Sequence, residues 1–433
     1  MNRMPLFLLT LAAMPAAAAD YVWANLTGTG TSLAWTSAAN WINADGTDAS
    51  SYPKNESDTA LFRGCSAGRV NPPWGAVAGN VRLESGYTAW NNSAPKLTSF
   101  SCAPWASFSW QCESKNNPWW DFPGLSEEDN IDGLYPNATG MQNSQHKFFC
   151  LVSGAKPVWA GDGASYEAHP TNRTDMLYNA GTWPFTLTVE ADSHCGLVCW
   201  KSDSGTLSFS SNATLEVGSG MLIGGGNDWK WMSIGDPGSD GLKPAGAIRV
   251  PDGHGLWFWG DKHWILRSRV DAAALVVTRK QSVALVGDHS DDTCDYRVVC
   301  GTLQLGGDLP VTSSNSRSPW FVGHPSGVEA KGGEGDYVVE WAGTLVVGVR
   351  DAIPKSASVF LPGAYDRPTR TRLHGKIQLD ADARCAALVI DGKNAQSGTW
   401  GSSQSAAEHK DDAVFSGAGV LTVGSAGTVL LVR

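Results

Sequence analysis

Residues 338–363 read VVEWAGTLVVGVRDAIPKSASVFLPG, residues 373–403 read LHGKIQLDADARCAALVIDGKNAQSGTWGSS, and residues 413–423 read AVFSGAGVLTV. Short apolar runs alternate with Gly, Asp, Asn and Ser, and no helical period runs through them. That texture predicts strands joined by tight turns. It extends back to Gly181. Thr186-Leu187-Thr188-Val189, Thr206-Leu207-Ser208-Phe209 and Thr214-Leu215-Glu216-Val217 alternate, and Ala274–Thr278 and Val283–Val286 follow. A small unit recurs as Gly205-Thr206-Leu207, Gly301-Thr302-Leu303, Gly343-Thr344-Leu345 and Gly419-Val420-Leu421. Its uneven spacing fits a β-solenoid whose coils carry turns of varying length, each coil burying its apolar face on the next. Tandem β-sandwich domains give the same short strands and are the alternative. Helix signals are poor: even the Ala-rich run 381–387 has no amphipathic stripe and no cap.

The wider composition agrees with a chain that turns often. Of 433 residues, 49 are Gly, which supplies the positive φ of tight turns. The formal net charge of -10 argues against a nucleic-acid surface, which needs a basic stripe. With 17% charged residues the chain is too sparsely charged for disorder. Residues 1–19 read as a secretion signal: a short positive start at Arg3, an apolar core from Pro5 to Ala13, and Ala17-x-Ala19 as a cleavage site before Asp20. That core is too short to span a bilayer, and no later stretch reads as a transmembrane segment. The mature chain is therefore expected outside the cytoplasm.

Three regions follow the leader. Residues 20–63 form a Trp-rich β module punctuated by Trp23, Trp35 and Trp41, with a turn at Asn43-Ala44-Asp45-Gly46 and a strand restarting at Asp58-Thr59-Ala60-Leu61-Phe62. Residues 64–180 read as an irregular insertion or loops, rich in Cys, Trp, Pro and Asn; such segments need cross-links or aromatic plugs. Residues 181–433 carry the solenoid texture, with terminal coils over 338–423. Nine cysteines in an exported chain permit disulfides, and the odd number leaves at least one outside an internal pair. The candidates are Cys65, Cys102, Cys112, Cys150, Cys195, Cys199, Cys294 and Cys300. On one strand Cys195 and Cys199 would lie about 13 Å apart, whereas a disulfide needs Cα atoms about 5.5 Å apart. They join each other only if Gly196 bends the chain; otherwise each must meet a cysteine on a neighbouring strand. No CxxC and no His at ligand spacing accompanies them, so no metal site is expected.

Both ends carry a resemblance. Trp35, Asn40, Trp41, Pro53, Asp58, Ala60 and Phe62 fit the W…NW…P…sD.a.F opening of large secreted bacterial proteins with autotransporter-type β-strand repeats. At the other end the segment resembles the last module of the same proteins. The matches are Ala352-Ile353-Pro354, Leu388 with Ile390-Asp391-Gly392, Gly398-Thr399-Trp400-Gly401-Ser402, and Phe415 to Val423. The resemblance implies a right-handed parallel β-helix or related solenoid, exported and displayed or released. It further implies an Asp391-Gly392 hairpin, and an adhesive, structural or binding role, with some β-helix relatives acting on polysaccharides. The chain departs from a true autotransporter, because only residues 424–433 follow the last module, where a translocator barrel needs many lipid-facing strands.

No constellation rises to a catalytic motif, and no cofactor is expected. There is no G-x-S-x-G in strand-then-helix context and no P-loop. Trp229 with Trp231, Trp257 with Trp259, and the Trp119-Trp120 pair are candidate platforms for polysaccharide or cell-surface glycans, since i, i+2 spacing puts two rings on one strand face. The competing reading is that these rings fill the core. His254 and His263 lie near the Trp cluster and are candidate sugar contacts. Asp288, Asp291, Asp292 and Asp295 with His289 offer oxygen ligands for a hard cation, against a default reading of solvated loop acids. Two functions stand. One is a non-catalytic passenger-like solenoid with a structural, adhesive or glycan-binding role. The other is a β-helix polysaccharide-degrading enzyme, a lyase or glycoside hydrolase, which would need converging acids and bases in a groove.

Overall fold

In the computed structural model the described residues are 18–424. Excepted are 31–32, 73–76, 91–95, 103–106, 113–146, 153–157, 160–175, 180–184, 190, 196, 201–204, 210–212, 218–219, 225–230, 236–245, 252–254, 261–262, 279–280 and 309–327. Among them the protein is all-β. Apart from one 3-10 turn at Ala38–Asn40, every element is a strand, and no helix is long and apolar enough to cross a membrane.

From Met176–Asn179 to Ala274–Val277 the strands follow one pairing rule: each, apart from Arg269–Asp271 at the end of its row, lies parallel to the third strand after it. Met176–Asn179 pairs with Leu197–Trp200, which pairs with Met221–Gly224, then Gly255–Gly260, then Ala274–Val277. A second row runs beside it through Phe185–Val189, Gly205–Phe209, Trp231–Ile234, His263–Leu266 and Gln281–Leu285. A third row holds Ser193–Cys195, Thr214–Val217, Ala247–Arg249 and Arg269–Asp271. The long strands Asp295–Leu305 and Tyr337–Val347 each serve the first two rows at once.

Register explains the recurring Gly-Thr-Leu unit. Gly301, Thr302 and Leu303 lie directly against Gly343, Thr344 and Leu345, so like stacks on like between neighbouring strands. The leucines enter a continuous buried cluster that runs from Val189 to Val423. One residue in two faces inward, as Thr214–Val217 shows: Leu215 and Val217 are buried while Thr214 and Glu216 are half-exposed. Tyr296 and Tyr337, also in register, stack with ring centroids 4.7 Å apart and planes 13° off parallel. The Asp391-Gly392 turn is the hairpin expected there. Both residues have positive φ (53° and 71°), and Val389 and Ile390 pair antiparallel with Asn394 and Lys393. Positive φ at both central positions is the turn that matches strand twist, and Gly accepts it without cost.

The N-terminal residues build a separate pair of sheets. Asp20–Trp23, Thr59–Phe62, Val77–Leu83 and Lys96–Cys102 are parallel neighbours. Leu33–Ala34, Arg69–Asn71, Tyr87–Trp90 and Ser107–Cys112 form the second parallel set. Strand pairing therefore continues past residue 63: Arg69–Asn71, Val77–Leu83, Tyr87–Trp90, Lys96–Cys102 and Ser107–Cys112 are strands within the stretch read from sequence as irregular. Between the sheets lie Trp23, Trp35, Trp41, Phe62 and Trp90, each at most 2% exposed. Trp35 meets Trp41 and Trp90 edge to face, with centroids 4.8 and 5.6 Å away, while Trp23 and Phe62 stack at 6.1 Å. Three of the indoles donate to backbone: Trp41 Nε1 to the Trp35 carbonyl, Trp35 Nε1 to that of Pro53 and Trp23 Nε1 to that of Asn25.

Candidate functional site

The two parts of the fold are stitched together by a short hairpin, Ala364–Asp366 with Thr371–Leu373. Its Asp366 accepts hydrogen bonds from the amides of Leu26 and Thr27, and Arg367 reaches the carbonyls of Ala38 and Trp41 and the carboxylate of Asp48. Nearby, the indole of Trp341 donates to the Cys65 carbonyl at 2.8 Å, and the Cys65 thiol to that of Val299 at 2.8 Å.

Where these elements meet they leave a cavity of about 280 Å³. The strand Tyr337–Val347 contributes Glu340 and Trp341, the hairpin contributes Tyr365 and Arg372, and the N-terminal sheets contribute Arg63 and Ser85. Glu340 is 9% exposed. Burial pushes its carboxyl up to about 7, against the nearby Arg297 cation and an amide hydrogen bond from Gly86, which favour the ionised form. Arg63 is held by Glu84 through Nε. Arg372 donates through Nε to Asp391 at 2.7 Å, and His374 Nε2 lies 2.8 Å from the other oxygen of that carboxylate. Burial disfavours the Asp391 anion, but His374 and Arg372 outweigh it and hold the group below the usual carboxylate range. Chemically, this is a small chamber lined by two guanidinium groups, three aromatic residues (Trp23, Trp341 and Tyr365) and one carboxyl able to exchange a proton near neutrality.

The residues expected from sequence lie elsewhere. Trp257 is 1% exposed, on the strand Gly255–Gly260. A ring so covered offers no face to a sugar from solvent, so the platform reading of Trp257 is corrected: the i, i+2 spacing sets the strand face but not what covers it. Trp231 and Trp259 lie on described strands, but only their backbone placement is described, while Trp119, Trp120 and Trp229 are outside the described residues. Of the histidines, His263 begins the strand His263–Leu266 and is half-buried, and His254 is outside the described residues.

The disulfide candidates Cys65, Cys294 and Cys300 are thiols in the structure, as is Cys385. Strand placement separates them from other cysteines: Cys300, for example, lies opposite Ala342. Cys195 and Cys199 sit on strands of different sheets. Their neighbours in register are Val217 for Cys195, and Tyr178 and Ile223 for Cys199, so neither meets a cysteine across a strand pair. Cys102, Cys112 and Cys150 lie on strands Lys96–Cys102, Ser107–Cys112 and Lys147–Val152, described by backbone alone.

His289 and Asp292 do not join a cation cluster. They are buried and bonded to each other at 3.0 Å, and Asp292 also accepts from the Tyr296 hydroxyl and the Val270 amide. Among the described residues no group of acidic, His and Cys side chains is arranged to hold a metal.

Sequence reasoning missed Glu340, Arg63 and Arg372, because residues so far apart in the chain give no local pattern. The available signal was the odd polar pair Glu340-Trp341 inside an otherwise apolar strand. The fold and cavity together define an all-β protein of parallel strand rows with a polar chamber at the junction of two sheet systems. No family model, curated protein or solved structure matches the chain.

Proposed function

We propose that this chain is an exported, passenger-like parallel β-solenoid with a structural, adhesive or glycan-binding role outside the cytoplasm. The observation that supports this reading is the parallel pairing of strands with the third after them from Met176–Asn179 to Ala274–Val277, continued as parallel pairing through Asp295–Leu305 and Tyr337–Val347. Three short strands per round, stacked with like residues in register, are what a solenoid requires. The leader at residues 1–19 and the resemblance of both ends to secreted repeat proteins support export. N-terminal sequencing of the exported protein is expected to begin at Asp20, and recovery of an intact Met1 from the cell exterior would refute cleavage.

The test of function is a glycan array run beside a product-release assay. Binding without release supports this role. A second reading, a β-helix enzyme that cleaves polysaccharide, is favoured by Glu340, whose carboxyl near 7 lines a chamber with two arginines. New reducing ends or unsaturated products, abolished by Glu340→Gln, would establish the enzyme and end the binding-only reading. Absence of any glycan binding would leave the structural role.

A further inference from the structure

We propose that the cavity between Arg63, Arg372, Trp341 and Tyr365 receives a single carboxylated sugar unit, a hexuronate within a glycan. This rests on the glycan-binding reading and names the ligand class for it.

Size sets the first limit. A volume of about 280 Å³ sits at the lower edge of small-molecule pockets, which admits one sugar ring and not a folded oligosaccharide. Charge sets the second. In a chain of formal net charge -10, two arginines converge on one small chamber. Each is oriented by a carboxylate through Nε, Arg63 by Glu84 and Arg372 by Asp391. Both terminal nitrogens of Arg63 remain to donate, and the Arg372 fork keeps Nη1 while Nη2 makes a long 3.4 Å contact to the Gly363 carbonyl. A guanidinium fixed at Nε with its outer nitrogens open is suited to a planar carboxylate. A hexose without the acid group offers those donors no charged acceptor and leaves them to water.

The walls supply the rest. Trp341 and Tyr365 are half-buried aromatics, and their faces suit the C–H face of a pyranose. The Ser85 hydroxyl accepts from the Gly64 amide at 2.9 Å, which leaves its own proton to donate to a ring oxygen or hydroxyl. At the floor, Glu340 in its protonated form donates to a ligand oxygen, and in either form it accepts from a sugar hydroxyl.

The test is titration calorimetry with glucuronate, galacturonate and a galacturonate trimer, against glucose, galactose and inorganic sulfate. Saturable binding of the uronates, with neutral hexoses at least tenfold weaker, is expected. Arg63→Gln with Arg372→Gln should weaken uronate binding at least tenfold. Both side chains are about half-exposed, so melting temperature should barely move. The single Arg63→Gln variant serves as a milder second probe, with an expected loss of severalfold. Equal binding of neutral hexoses, or sulfate matching the uronates, would overturn the inference. Glycan-array binding that survives both arginine substitutions would overturn it while leaving the glycan-binding reading intact. No binding of any glycan would overturn both.

Discussion

Asp366 and Thr27 lie 339 positions apart, yet the Asp366 carboxylate accepts hydrogen bonds from the Thr27 amide at 3.2 Å and its hydroxyl at 2.9 Å. The same carboxylate takes the Leu26 amide at 2.9 Å and the Thr369 hydroxyl at 2.7 Å. One fully buried side chain thus anchors the Leu26-Thr27 segment to the hairpin Ala364–Asp366 with Thr371–Leu373.

Replacing Asp366 by Ala strips partners from buried amides, and stability should fall by about 3 kcal/mol, the cost of unsatisfied buried donors. The pH dependence follows from the sign of its shift. Burial opposes the anion, but the donors from Thr369, Leu26 and Thr27 outweigh it and hold the carboxyl below its usual range. The contribution is then fully present above the unfolded-state value of about 3.9 and is lost as pH falls through the lower folded value. Urea titrations of wild type and Asp366→Ala from pH 7 down to 2 should keep a constant gap above about pH 5 and narrow below about pH 4. Curves that stay parallel would refute the role.

His289 makes an opposite case. Its Nδ1 faces Asp292 Oδ2 at 3.0 Å and its Nε2 faces the Leu266 carbonyl at 3.1 Å. Both partners are acceptors, so only the imidazolium satisfies both bonds. Burial alone would lower the histidine's value, but Asp292 overrides it and the net direction is upward. The stabilisation is therefore full below about 6.5 and is lost as pH rises through the raised folded value. Thermal melts from pH 6 to 9 should fall, and the fall should vanish in His289→Gln. Asp292→Ala should cost about 3–5 kcal/mol at pH 6, because it leaves a buried cation without its anion. A flat wild-type profile would refute the imidazolium.

These features divide by how far they reach along the chain. The strand texture, the Asn43–Gly46 turn and the Asp391-Gly392 hairpin were legible because each is local: alternation and turn chemistry act within a few residues. The Gly-Thr-Leu recurrence spans longer distances, and two of its copies, Gly301 and Gly343, lie opposite each other, a pairing the uneven spacing did not reveal. The cavity was not legible. Arg63, Ser85, Glu340 and Arg372 become neighbours only through docking of the hairpin onto the N-terminal sheets. Nor was the covering of Trp257, since strand spacing fixes the direction of a ring and not its burial.

Gly86 tests that docking. Its φ is +76°, and a Cβ there would lie 2.1 Å from the Gly64 carbonyl carbon, with backbone on both sides of the clash. Its amide also donates to Glu340 at the cavity floor. Gly86→Ala should cost at least about 1–2 kcal/mol for the left-handed backbone alone, and more for the displaced Gly64. Uronate affinity should drop with it if the cavity is the binding site. Chemical denaturation and calorimetry on the same variant would show both effects, and an unchanged midpoint would refute the close approach.

The thiols give the last prediction. Cys65, Cys294 and Cys385 are at most 3% exposed, and Cys300 is half-buried. Burial, with Asp292 and Asp295 nearby, holds the Cys294 thiol well above its ordinary range, and burial pushes Cys385 up to about 12. The thiolate is the reactive species, so both residues combine poor access with almost no thiolate at neutral pH. Among these four, Cys300 should alkylate first in the native protein, while Cys65, Cys294 and Cys385 react only after unfolding. Peptide mapping after iodoacetamide treatment, with and without urea, measures this residue by residue. A cross-linked peptide containing any of the four would contradict the thiol assignment, because register sets Cys300 against Ala342 and Cys385 against Val423, with no cysteine opposite either.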